Sequence, residues 1–160
     1  MDLLHTYGIK RLVDIRTLPR SRHNPQFNGT ALANTLAAAH LEYAGLQALG
    51  GLRKPREDSP NSGWRNSSFR GYADYMQTVA FQEGLEILIQ MSRQMRVAIM
   101  CAEAVPWRCH RSLVADALNV RGVPVVEILS ENDYRAHKLT PFAQVDGAQL
   151  TYPAAQATLL

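Results

Sequence analysis

The sequence predicts an α/β domain, in which a small, mostly parallel sheet is flanked by helices and followed by a C-terminal β-hairpin. Three observations carry that reading. The runs Leu12-Val13-Asp14-Ile15-Arg16 and Val97-Ala98-Ile99-Met100-Cys101 are too apolar and too brief for helices. Stretches of helical spacing lie between and after them. Near the end, Asp146-Gly147 sits between two short β-like runs, a hairpin signal.

Leu3, Leu4 and Tyr7 share one face of a short opening helix, and Gly8 is a suitable stop. The strand at 12–16 follows, and Pro19 to Pro25 is a loop by its Pro and Asn content. A helix is predicted from Thr30 to His40, with Asn28 as its cap and Leu32, Leu36 and Ala39 facing inward. Leu41 to Ala44 is a further short strand. From Leu46 to Arg70 there is no clear period, and Gly50-Gly51, Pro55, Pro60 and Gly63 interrupt the segment. A loop of this length in a compact domain is usually functional or disordered.

Helical spacing returns from Tyr72 to Ser92 through Met76, Val79, Leu85, Leu88 and Ile89, and Gly84 is the expected point of division. After the strand at 97–101 comes a helix from Arg108 to Arg121, striped by Leu113, Ala117 and Leu118 and stopped by Gly122. Val123 to Ile128 is the next strand. Strand, helix and strand in this order predict a right-handed crossover and a parallel pair. A hairpin from Ala143 to Tyr152 closes the chain, with a type I′ turn expected at Asp146-Gly147.

A chain of 160 residues fits one domain and can bury its own core. No apolar run approaches the roughly 18 residues of a membrane span. Met1-Asp2-Leu3-Leu4-His5 lacks the basic start and apolar stretch of a secretory signal, so a cytoplasmic location without a membrane partner is expected. Two cysteines in that setting predict reduced thiols, and a Cys101–Cys109 bond would be redox chemistry rather than a staple.

The net charge of +3 does not demand nucleic acid. Its distribution says more. Arg16, Arg20, Arg22, Arg53, Lys54, Arg56, Arg65 and Arg70 crowd residues 16–70, opposed only by Glu42, Glu57 and Asp58. Such a local field favours an anionic partner, either a phosphate-bearing small molecule or a nucleic-acid backbone. The plainer alternative is a solvated basic surface.

Ligands of open α/β sheets gather beyond the carboxyl ends of the strands. The first strand delivers Asp14 and Arg16 there and runs on to Arg20, Arg22, His23 and Asn24. The strand at 97–101 delivers Cys101, then Glu103, then Arg108-Cys109-His110-Arg111 at a helix start. Free N–H groups and the positive dipole end beside two arginines make an anion cradle. That field is expected to lower the pKa of Cys109, and of Cys101 if near, and so to supply a thiolate nucleophile.

His110 would then relay a proton, and Glu103 would act as base or orient an arginine. The competing role for Cys101 is that of an inert small hydrophobe ending a strand. A metal on Cys101, Cys109 and His110, with His23 or Asp14 as fourth ligand, is disfavoured. Adjacent Cys and His rarely converge on one ion, and there is no Cys-x-x-Cys pair. Nothing specifies a cofactor. Phe27, Tyr43, Trp64, Phe69, Tyr72 and Tyr75 are expected to line the same cavity and offer stacking surfaces. Core packing is the alternative, favoured for Phe81, Phe142 and Met76.

Leu12 to Asn28, Leu49-Gly50-Gly51, Phe69 to Met76, Met100 to Glu103 with Cys109-His110-Arg111, and Leu139 to Ala143 together resemble the motifs of domain-of-unknown-function family 488, a group of bacterial proteins. The resemblance implies a Rossmann-like fold and no established activity. Members of that family begin with an extra strand ending in a Gly-His-Ser-type motif, whereas Met1 here stands inside the helix that follows it. A sheet one strand short, or a truncated start, is therefore expected, with a hydrophobic edge open to homodimer formation.

A fainter likeness to rhodanese and cysteine-phosphatase domains rests on Asp14-x-Arg16 after one strand and Cys101 after another. Six residues separate Cys101 from Arg108, where phosphatases have five before the arginine.

The expected function is a thiol-dependent hydrolase or transferase acting on a phosphorylated ligand, a nucleotide or a nucleic-acid end. The alternative is a non-catalytic nucleic-acid-binding module that uses the basic loops. The first requires the Arg16 guanidinium and the Cys109 thiol to face one hollow.

Overall fold

Leu12, Val13 and Asp14 are all buried, as is Ile15 just after them, so the strand that holds the first three has protein on both faces. It is β1 (Arg11–Asp14), the middle of a three-stranded sheet ordered β2-β1-β3. β2 (Glu42–Gly45) and β3 (Val97–Met100) both run parallel to it. The computed structural model describes residues 1–105 and 108–154.

Alternation along β1 divides the core in two. On one face Leu12 packs with Leu32 and Leu36 of α2 (Gly29–Ala38), with Tyr43 and Met100 against them. On the other, Val13 and Ile15 meet Phe81, Leu85 and Leu88 of α4 (Val79–Gln94) and Leu113 and Val114 of α5 (Arg111–Val120). The short α1 (Asp2–Thr6) leads into Gly8 at φ 62°, as expected for its stop.

The stretch from Tyr72 to Ser92 divides, but not at Gly84. α3 (Ser67–Tyr75) ends, Met76 to Thr78 turn, and Thr78 Oγ1 caps α4 by accepting from Phe81 N–H. Gly84 stays helical and marks a close contact instead, since a methyl there would stand 2.8 Å from Ala48 Cβ. α3 begins at Ser67, five residues before Tyr72, because Asn66 caps it: Asn66 Oδ1 accepts from the N–H groups of Ser68 and Phe69. Asn28 precedes α2 as expected, yet its side chain makes no cap and accepts from Ser21 N–H at 2.7 Å.

The crossover expected between 97 and 128 is corrected by the structure. β4 (Val126–Ile128) does not join the parallel sheet and pairs antiparallel with β5 (Tyr134–Ala136). Between β3 and β4 lies a cavity of about 850 Å³, lined in part by Val97, Ile99, Val125 and Ile128. Arg96 O and Met100 O accept from β1-side N–H groups, so by strand alternation Val97 and Ile99 turn their backbone groups toward that cavity. β4 is held elsewhere, because His137 N–H bonds Val125 O and the His137 ring is gripped by side chains on β4 and α5.

The closing hairpin forms as β6 (Gln144–Asp146) and β7 (Gln149–Thr151). Asp146 pairs with Gln149, which leaves Gly147-Ala148 as the two-residue turn. Gly147 has φ 58° and Ala148 has no positive φ, the requirement of type II′ rather than I′.

Residues 46–66 form a loop that opens with a 3-10 turn at Gln47–Leu49 and is tied to the rest of the fold by side-chain hydrogen bonds. Asp74, buried on α3, accepts from Arg56 N–H, Ser59 Oγ and Asn61 Nδ2 at 2.8, 2.5 and 2.8 Å. Asn61 Oδ1 in turn accepts from Tyr152 N–H, tying the loop to the hairpin.

Candidate functional site

Because β1, β2 and β3 are parallel, the segments that leave them emerge at one edge of the sheet. These are 15–28, 46–66 and, among the described residues, 101–105 with 108–110; they hold eight of the 17 lysine and arginine side chains in the sequence. The first two loops are joined where Thr17 Oγ1 donates to Gly51 O at 2.8 Å. The third meets them at His110, whose Nδ1 would lie 3.0 Å from a methyl on Gly51.

His110 stands just ahead of α5, with its ring centroid 4.8 Å from that of buried Tyr72. Tyr72 is fixed in turn, donating from its hydroxyl to Leu49 O at 2.7 Å. Burial, and then the Arg111 charge, push the His110 pKa down to about 4, against nearby Ile15 and Leu49 carbonyls that favour the charged ring. The imidazole is therefore neutral at pH 7. Its Nε2 is buried and has no hydrogen-bond partner among the described residues.

The two cysteines converge beside it. Cys101 leaves β3 and Cys109 precedes α5, both are buried, and the structure pairs them as a disulfide. This differs from the reduced thiols expected of the sequence. Glu103 N–H points at Cys101 Sγ at 3.2 Å, and Arg111 N–H points at Cys109 Sγ at 3.5 Å. His110 Nδ1 lies 3.5 Å from Cys109 Sγ.

Arg111 reaches back over the loop, donating from Nη2 to Glu103 O at 2.6 Å and Ala104 O at 3.1 Å, while its Nε is buried without a partner among the described residues. The helix thus begins at Arg111, three residues later than expected, with Cys109 and His110 in the turn that leads into it.

Arg16 lies apart from this cluster. The register pairs Asp14 with Met100, which sets Ile15 beside Cys101 and turns Arg16 to the opposite face. There Arg16 is closed on Asp14, donates to Phe27 O at 2.8 Å and neighbours Tyr43, whose hydroxyl donates to Asp14 Oδ2 at 2.9 Å. Burial alone would raise the Asp14 pKa, but hydrogen bonds from Arg16 and Tyr43 outweigh it and hold the carboxyl below its ordinary value. Tyr43, half-buried beside that carboxylate, is pushed up to about 12. Asp14 and Arg16 satisfy each other, and neither joins the cysteines.

The remaining predicted site residues scatter along the same edge. Arg20, Arg22, Asn24 and Arg108 are exposed. Glu103 takes part through its backbone, with its side chain in solvent. Trp64 and Phe69 meet with ring centroids 4.8 Å apart, and Trp64 also packs against Phe142 and Tyr152 of the C-terminal segment. Tyr75 carries Arg53, whose guanidinium sits 3.6 Å over its ring and donates to Gly50 O.

Residues the sequence did not single out do much of the positioning. Thr17, Asp74 and Asn61 shape the loops, and Asp116 on α5 accepts from His137 Nε2, Thr140 N–H and Tyr152 Oη. No local pattern marks them, because their partners are up to 91 residues away.

Among the described residues no group of three or more His, Cys, Asp or Glu side chains is gathered so as to hold a metal ion. Among them, too, no helix is long and apolar enough to cross a membrane.

A family model described as domain of unknown function DUF488 matches residues 1–118. The chain belongs to this family. The match runs from α1 into α5 and takes in every loop at the carboxyl edge of the sheet, so the cysteine hollow of this DUF488 protein lies wholly within it. β4 to β7 lie beyond the match. No curated protein and no solved structure matches the chain.

Proposed function

We propose that this DUF488 protein is a thiol-dependent enzyme, a hydrolase or transferase acting on a phosphorylated ligand at Cys109, His110 and Arg111. The observation that carries the reading is the approach of His110 Nδ1 and Arg111 N–H to one sulfur, each 3.5 Å from Cys109 Sγ. It applies to the reduced chain, in which Cys109 is a thiol. Neutral His110 accepts the thiol proton, and the sulfur attacks phosphorus. As the bond to the leaving oxygen breaks, His110 returns that proton to it. Water, or an acceptor hydroxyl, then releases the phosphoryl group from sulfur and regenerates the thiol.

The unpartnered Arg111 Nε, at the start of α5, supplies the positive end for the anion. Arg16, engaged by Asp14 on the other face of the sheet, has no part in this set. The reading is therefore narrower than the one expected of the sequence, which required Arg16 and Cys109 to face one hollow, and it rests on Cys109, His110 and Arg111 alone.

Iodoacetamide labelling of the reduced, folded protein tests it. Cys109 should label at pH 7, inorganic phosphate should slow the labelling, and Arg111→Ala should remove that protection while leaving the circular dichroism unchanged. Labelling only on unfolding, or indifference to phosphate, would overturn the assignment.

A second reading, a nucleic-acid-binding module, is favoured by exposed Arg20, Arg22, Lys54, Arg65 and Arg108 on loops that share the sheet edge. It predicts binding to a single-stranded oligonucleotide that weakens steeply with salt and survives replacement of both cysteines by serine.

A further inference from the structure

Cys101 and Cys109 stand eight residues apart in the chain, one closing β3 and the other leading into α5, and their sulfurs meet in the hollow. We infer that they are a reversible dithiol–disulfide pair, closed by a small peroxide and reopened by thiol reductants, that switches the hollow off. The inference rests on the proposed function only in that both concern one sulfur.

The surroundings suit a pair that opens and closes. Backbone N–H groups of Glu103 and Arg111 are aimed at the two sulfurs, and such donors stabilise a thiolate far better than a bonded, neutral sulfur. The reduced form is thereby supported, which makes the bond more easily reduced than a structural one. The fold does not depend on it either. α5 is anchored through Leu113, Val114 and Ala117 in the core that also receives Val13 and Ile15, and β3 is paired along its length with β1.

Access selects the oxidant. Cys101 is 8% exposed and Cys109 4%, which admits a molecule the size of hydrogen peroxide and excludes a folded protein disulfide. The Cys109 thiolate attacks one peroxide oxygen and the O–O bond breaks, giving a sulfenic acid and water once the leaving oxygen is protonated. The Cys101 thiol then attacks that sulfur, the S–O bond breaks, and the hydroxyl leaves with the Cys101 proton as a second water. Two thiols and one peroxide become one disulfide and two waters. In the closed state Cys109 has no free electron pair on a thiolate to attack a substrate.

The test is a thiol count on the full chain, reduced with dithiothreitol, freed of reductant and exposed to one equivalent of hydrogen peroxide. Both alkylatable thiols should disappear together, with an intact mass lower by two hydrogens on a single chain, and dithiothreitol should restore them. In Cys101→Ser, dimedone should trap a sulfenic acid on Cys109 instead. Persistence of both thiols, sulfinic or sulfonic acid on Cys109 of the unmodified sequence, or a bond between two chains would overturn the proposal. No substrate enters the count, so failure of the phosphate-protection experiment leaves it standing, and its own failure leaves that experiment intact.

Discussion

The guanidinium of Arg16 is closed on the carboxylate of Asp14, with Nη2 2.5 Å from Oδ2 and Nε 2.8 Å from Oδ1. Arg16, one of the anion ligands expected of the sequence, is therefore half of an internal ion pair, 7% exposed against a carboxylate that is fully buried.

Arg16→Ala should be a folding lesion before it is a binding lesion. It leaves Asp14 buried without its cation, which costs about 3–5 kcal/mol. Urea denaturation should show that loss, and Arg16→Lys should recover little of it, because an ammonium cannot reproduce the fork. The Asp14 carboxyl titrates below its ordinary range in the folded chain, so its share of stability is present above about pH 4 and is lost as pH falls through the lower folded value. Arg16→Ala should flatten the acid side of the stability curve.

His137 should give the opposite dependence. Its side chain is 4% exposed and lies 2.8 Å from both Asp116 Oδ1 and Glu127 Oε1. Burial opposes its protonation, but hydrogen bonds and charge from the two carboxylates prevail and raise its pKa. A raised value means stabilisation that is complete below about pH 6.5 and is lost as pH rises through the folded value. Melting temperature should fall across that interval in the unaltered chain. His137→Gln should be less stable at pH 6 and should show a flatter profile above it.

Asp74→Ala should release the 46–66 loop while leaving the sheet in place. It strands the Arg56 N–H, Ser59 Oγ and Asn61 Nδ2 donors, at a cost of about 1–3 kcal/mol for each that stays buried. Hydrogen exchange should rise across residues 55–63 and hold steady in β1 and β3. Since Gly51 abuts His110, labelling of Cys109 in the reduced protein should also quicken.

Gly71→Ala is predicted to destabilise although alanine is the better helix former. A methyl at Gly71 would collide with Arg53 O and stand 2.6 Å from Lys54 C, and backbone cannot yield as a flexible side chain does. The overpacking should cost roughly 1–3 kcal/mol. Equal or greater stability in urea would show that the loop does not press on α3.

Much of the architecture is legible in order along the chain. β1, α2, β3, α5 and the hairpin stand within a few residues of the positions their spacing predicts. The miss at β4 has a physical cause. Val123 to Ile128 is β-like by composition, but which strand it pairs with depends on His137, Asp116 and Glu127 meeting across the fold. α3 was half visible: Tyr72 and Met76 show its period, while its start rests on the Asn66 cap inside a segment that reads as loop. Trp64 lies in a segment that reads as loop, so its packing is not legible in the sequence: the Phe142 and Tyr152 rings against it arrive more than seventy residues later.

By itself the sequence determined that two apolar strands carry Asp14-x-Arg16 and Cys101 to one edge of a parallel sheet, and that Cys109-His110-Arg111 follows there. Composition and period suffice for that, because strand direction and burial are local consequences of side-chain pattern. Only the tertiary structure decided which of these groups meet. Register is a property of two strands at once: Asp14 set opposite Met100 sends Arg16 to the α2 face and leaves Cys101 on the other with Cys109 and His110. A shift of one residue would have exchanged those partners without altering a letter of the chain.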